Sequence, residues 1–70
     1  MWIESNGYLL NIDEIVVIQK DDKYKIHFRF GNREGYHNIF YDSTEKRDSE
    51  FKRIEGLLLK NIYDSNIAGR

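Results

Sequence analysis

The residues with chemistry for catalysis or metal binding are few: His27 and His37, the serines at 5, 43, 49 and 65, and the acidic pairs Asp13-Glu14 and Asp21-Asp22. A zinc-type site needs three or four ligands with a supporting second shell. The two imidazoles, read as sharing the open face of one sheet, have no evident Asp or Glu beside them there. The serines fall in a turn, a helix cap, a helix and the C-terminal stretch, none in a strand-turn-helix elbow. The acidic pairs sit at turns, where solvated carboxylates are ordinary. Neither glycine pair opens a phosphate loop, because no strand-to-helix junction follows it. The expectation is a non-enzymatic protein with no metal, no cofactor and no small-molecule ligand.

Recognition chemistry is better represented. In Tyr24-Lys25-Ile26-His27-Phe28-Arg29-Phe30 every odd step is apolar or aromatic and every even step basic. That is the period of a strand with one face buried and one wet. Tyr24, Ile26, Phe28 and Phe30 are expected inward. Lys25, His27 and Arg29 form a basic outer face, with Lys20 and His37 as further members and Tyr8 or Tyr36 for base stacking. Eleven Lys and Arg against twelve Asp and Glu, net −1, weigh against a generic nucleic-acid binder.

The elements that must position these residues follow from pattern. Trp2-Ile3 and Tyr8 to Asn11 flank Asn6-Gly7, a two-residue hairpin signal. Asn11 to Glu14 is a polar corner. Ile15 to Lys20 is β-branched and reads as a strand with apolar residues on both faces. Turns at 21–23 and 31–35 bound the anchor strand, and Tyr36 to Tyr41 reads as the last strand. Pairing Phe30 with Tyr36 puts Arg29 opposite His37 and Ile26 opposite Phe40. Asp42-Ser43-Thr44-Glu45 resembles a capping box. From Ser43 to about Ile62, Phe51, Ile54, Leu57, Leu58 and Ile62 make one helical stripe. Gly56 interrupts it, as if for close approach to the sheet. The first two turns lack large apolar residues and are expected to project past the sheet.

The fold class is therefore α+β: an antiparallel meander of about five strands, a small half-barrel, with one C-terminal amphipathic helix on one face. Residues 1–63 form a single domain and 64–70 a flexible tail. The expected core is Ile3, Leu9, Ile12, Ile15, Val17, Ile26, Phe28, Phe30, Phe40, Phe51, Ile54, Leu58 and Ile62. With 70 residues and no cysteine, hydrophobic burial alone must hold it. The absence of cysteine, of a basic-then-apolar leader and of a long apolar run points to the cytoplasm.

Trp2-Ile3, Leu9-Leu10-Asn11-Ile12-Asp13, and Tyr41-Asp42-Ser43 followed by Phe51, Ile54 and Leu58 resemble a group of small bacterial and phage proteins without an assigned role. In that group a small apolar residue stands about four past the serine. Here it is Arg47, which leaves the docking of the first helical turn open. By analogy the layout is similar to a reduced pleckstrin-homology-like half-barrel. The resemblance rests on core and cap positions, so it implies a fold and leaves function to the surface.

Surplus aromatic and aliphatic residues supply the leading expectation. Trp2, Tyr8, Tyr36, Tyr41 and Tyr63 exceed what so small a core can enclose, and Leu57 and Leu59 widen the helical stripe. Such residues make interface hot spots. The expected function is a protein-binding module, as an inhibitor or adaptor of a host complex from a phage or prophage, or a self-associating chain. Its partner-binding residues are Trp2, Tyr8, Lys25, His27, Arg29, Tyr36, His37, Leu57 and Leu59. The alternative is single-stranded nucleic acid held by Lys25, His27 and Arg29.

Overall fold

Asn6-Gly7 sets the first element by turn chemistry. In the computed structural model, which describes the backbone of residues 1–21 and 23–68 and the side chains of 1–21 and 23–62, both residues have positive φ, 49° and 87°. A two-residue turn of that kind matches the twist of the strands it joins. It pairs β1 (Trp2–Ser5) with β2 (Tyr8–Asn11), Ser5 opposite Tyr8 and Ile3 opposite Leu10. A 3-10 turn over Ile12–Glu14 buries Ile12 and leads to β3 (Ile15–Lys20). A second antiparallel sheet follows, ordered β3, β4 (Lys25–Phe30) and β5 (Tyr36–Phe40). One helix, α1, spans Thr44–Ala68. The architecture is the α+β half-barrel the pattern predicts, left open because the two sheets share no ladder.

The core is where the alternation of β4 placed it. Ile26 and Phe28 are fully enclosed, with Ile54 of α1 above them and Ile12, Leu10, Ile15, Ile39 and Tyr41 around. Ile3, Ile18, Phe30, Phe51 and Leu58 close the periphery. Four expected members lie outside the core: Val17, half-buried, which a register shift in β3 pairs with the outward Arg29, and three that stand in water. Leu9 is 71% exposed, because the hairpin register sends Leu10 inward beside Ile3. Phe40 is 59% exposed, because β5 pairs one residue away from the expected register: Arg29 faces Tyr36, Ile26 faces Ile39 and Lys25 faces Phe40. A one-residue slip exchanges the faces of a strand. Ile62 is 56% exposed, at the rim of a hollow between α1 and β3.

Tyr24 is a further correction. It has φ 62° and stands half in water, outside β4. β3 ends at Lys20 and β4 begins at Lys25, and Tyr24, the last residue of the connection between them, is left-handed. Asp21 starts it by accepting the Lys23 amide on Oδ1 at 3.1 Å. Asp22 lies outside the described residues.

The helix begins at a Ser43 cap whose Oγ accepts the Lys46 amide at 3.1 Å. Lys46, not a glutamate, occupies the third position, so the reciprocal half of a capping box is missing. Its first turns dock rather than project. Arg47, 13% exposed, donates from Nη1 to the Asp21 carbonyl, and Lys20 lies 3.7 Å from Asp48 and 5.2 Å from the Phe51 ring centroid. Asn61 holds the other half of α1 by donating to Asp13 at 2.9 Å. Of the expected tail, the backbone through Ala68 belongs to α1, and residues 69 and 70 lie outside the described residues.

Two stability predictions follow from this packing. Gly56 faces open space, with nothing within 4 Å of where a Cβ would stand, so it serves no close approach. Gly56→Ala is expected to raise stability by about 0.5–1 kcal/mol in urea unfolding through helix propensity. Phe28→Ala should cost about 3–5 kcal/mol, which abolishes cooperative unfolding in a domain this size.

Candidate partner-binding site between two strand edges

The two ladders leave backbone groups unpaired on facing edges. In the hairpin, Ile12 donates to the Met1 carbonyl at 2.8 Å, which fixes the phase of the ladder. Residues 3 and 10, and 5 and 8, exchange hydrogen bonds, while the amides and carbonyls of Leu9 and Asn11 point away from β1. In the second sheet Tyr41 donates to the Tyr24 carbonyl at 2.7 Å. His37 and Ile39 therefore bond to β4, and Tyr36, Asn38 and Phe40 turn their backbone groups outward. The Asn6 side chain donates to the Phe40 carbonyl at 2.5 Å, joining the hairpin turn to that edge.

Between these lips lies a groove of about 480 Å³. Leu10, Phe28, Phe30 and Ile39 contribute to its floor, and Tyr8, Leu9, Tyr36 and Phe40 stand along its margins. Leu9, Phe30 and Arg33 also line an adjoining cleft of about 120 Å³ under Trp2. Trp2, Tyr8, Leu9, Tyr36 and Phe40 are each more than half exposed. Arg33 and His37 are the basic groups of the groove lining, which holds no carboxylate, and Glu14 lines the adjoining cleft with Arg33.

The expected site residues divide over three surfaces. Trp2, Tyr8, Tyr36 and His37 belong to the groove and cleft. Lys25, His27 and Arg29 share the outer face of the sheet with Tyr36, Asn38 and Phe40. Leu59 lies with Val16 and Ile62 over an apolar hollow of about 280 Å³ between β3 and α1, and Leu57 is half-buried outside it. His27 and His37 do not share a face: register places His37 opposite Phe28, and its ring meets that of Phe30 at 5.5 Å. Lys20 is likewise on the inner side, opposite Ile26. Tyr41, expected as surplus, is buried, and the side chain of Tyr63 lies outside the described residues.

The outer face carries its own counter-charge. Asp21 Oδ2 is 2.7 Å from His27 Nε2 and 3.7 Å from Lys25 Nζ. His27 Nδ1 meets Asn38 Oδ1, and the ring packs edge-on to Tyr36 with centroids 6.0 Å apart. Lys25 stands 5.4 Å over the Phe40 ring. Among the described residues no group of three or more His, Cys, Asp or Glu is placed to hold a metal, and no helix is long and apolar enough to cross a membrane.

The β2 lip is positioned by a buried polar network. Ser5, fully enclosed, bonds Tyr41 Oη at 2.7 Å and donates to Glu50 Oε1 at 2.9 Å. Arg53 donates to both oxygens of Glu50, at 2.9 and 3.0 Å, and to the Glu4 carbonyl on the outer edge of β1 at 2.7 Å. The Arg53 guanidinium, with help from Ser5, holds the Glu50 carboxyl below its ordinary range, and Glu50 in turn holds the Arg53 pKa up. Burial pushes the Tyr41 phenol up. Sequence reading took Ser5 for a turn residue. Its parity with Ile3, inward on β1, was the signal that it is enclosed.

Removing the Ser5 hydroxyl strands a buried Tyr41 Oη, whereas removing the phenol leaves Ser5 bonded to Glu50. Ser5→Ala is thus expected to cost about 1–3 kcal/mol and Tyr41→Phe about 1 kcal/mol or less, with the double variant below the sum, in urea unfolding. The acid limb should show Glu50. Its lowered folded pKa makes its contribution present above the unfolded value, about 4.3, and lost as pH falls through the folded one. Glu50→Gln should flatten that limb.

No protein-family model, no curated protein and no solved structure matches this chain.

Proposed function

We propose that this protein is a non-enzymatic binding module that holds another protein across the β2–β5 groove. The observation that carries the reading is the gathering of Trp2, Tyr8, Leu9, Tyr36 and Phe40, all largely in water, around two unpaired strand edges. Aromatic side chains in such number enrich interfaces, and open edges are sites of pairing with other chains. The cysteine-free composition and the resemblance to phage-borne proteins support a cytoplasmic inhibitor or adaptor of a host complex. Affinity purification with mass spectrometry from cells that carry the gene tests it. A partner should be retained by the wild-type chain and lost from Leu9→Glu and Tyr36→Glu variants that fold normally. Retention by both variants, or no partner at all, overturns the reading.

The outer sheet face favours a second reading, binding of single-stranded nucleic acid. Tyr36 and Phe40 stand beside Arg29 and Lys25 there, as base stacking beside phosphate contact requires. Asp21, in contact with Lys25 and His27, offsets that charge and ranks this reading second. Binding of an oligonucleotide that weakens steeply with salt and is lost in Lys25→Glu/Arg29→Glu would support it. Salt-independent binding, or none, removes it.

A further inference from the structure

We infer that the groove takes its partner as an added strand: one extended segment lying between β2 and β5, hydrogen-bonded to both, which joins the two sheets into one. The inference rests on the protein-binding reading and specifies the form of the ligand.

Three features select this occupant. First, the ladder phases direct the backbone groups of Leu9 and Asn11 from one side, and of Tyr36, Asn38 and Phe40 from the other, toward the gap. Only an extended backbone presents donors and acceptors on both of its sides at a matching repeat, whereas a helix spends its own internally. Second, the helix lies toward the other two strands: Arg53 bonds the outward carbonyl of Glu4 on β1, and Arg47 and the Lys20 side chain tie α1 to the end of β3 and the turn after it. On the groove side the Asn6 side chain caps the Phe40 carbonyl at one end. Third, the lining carries Arg33 and His37 without a carboxylate, although the whole chain is net −1, and Arg33 enters none of the ion pairs among the described residues.

The ligand is therefore an extended segment of four or five residues, matching the length of β2 and β5. Its alternate side chains are apolar, to meet Phe28, Phe30 and Ile39, and it carries an Asp or Glu near the Arg33 end.

Selection of random dodecapeptides displayed on phage against the immobilised full chain tests this, followed by hydrogen exchange with the best synthetic peptide. The expected consensus has apolar residues two apart with one acidic position, and loses affinity at least tenfold when alternate peptide amides are N-methylated. On binding, exchange should slow at least tenfold at the amides of Leu9, Asn11, Asn38 and Phe40. Arg33→Glu should switch the charged position of the consensus to Lys or Arg. Apolar spacing of three and four, protection elsewhere, or no selected peptide overturns strand addition. The groove variants in the affinity purification decide the binding reading separately. Slowed exchange at these amides with rising protein concentration and no peptide overturns it in favour of a second copy.

Discussion

The hydroxyl of Ser5 is where the two halves of this protein meet. The hairpin and the three-stranded sheet share no backbone ladder, so something else must fix their relation. Ser5 reaches Tyr41 at the end of the sheet and Glu50 on the helix, and Arg53 returns from that glutamate to the β1 edge. A buried polar group left without a partner is costly, so each member of this network constrains the others to one arrangement. Apolar packing around Ile26, Phe28 and Ile54 supplies the driving force for collapse but little direction. The network supplies direction, and it makes the position of β2 depend on three residues far apart in sequence.

From that constraint the opening between β2 and β5 follows. The helix is anchored to β1 by Arg53 and to the second sheet by Arg47 and Lys20, so it covers the side where those edges lie. A chain of this size has one helix to spend, and the opposite pair of edges stays uncovered. Natural sheets commonly blunt such edges with lysine, proline or a bulge. Here Asn6 caps one carbonyl, and aromatic side chains flank the rest.

The faces of β4 were legible from its alternation alone, and Ile26, Phe28 and Phe30 lie inward as expected. The hairpin was legible as well, because Asn-Gly admits few turn geometries. Most of the candidate site was not. Leu9 and Phe40 look like core residues by type, and only the pairing registers expose them. Leu9 could have been read outward from the two-residue turn, which puts Ile3 opposite Leu10. Phe40 could not, since the turn 31–35 allows either register and the choice depends on what packs beneath. Ile39 joins Ile54 in the buried cluster, and the larger Phe40 stays outside it, under the Lys25 ammonium.

Sequence by itself determined the α+β class, the faces of β4 and the Ser43 start of the helix, because period, turn residues and caps act over a few neighbours. Only the tertiary structure decided which edges stay open, which histidine stands on which face, and which groups the Ser5 hydroxyl meets. Those outcomes depend on register and on contacts across 36 to 49 residues, such as Ser5 to Tyr41 and Glu4 to Arg53, and no local pattern encodes them.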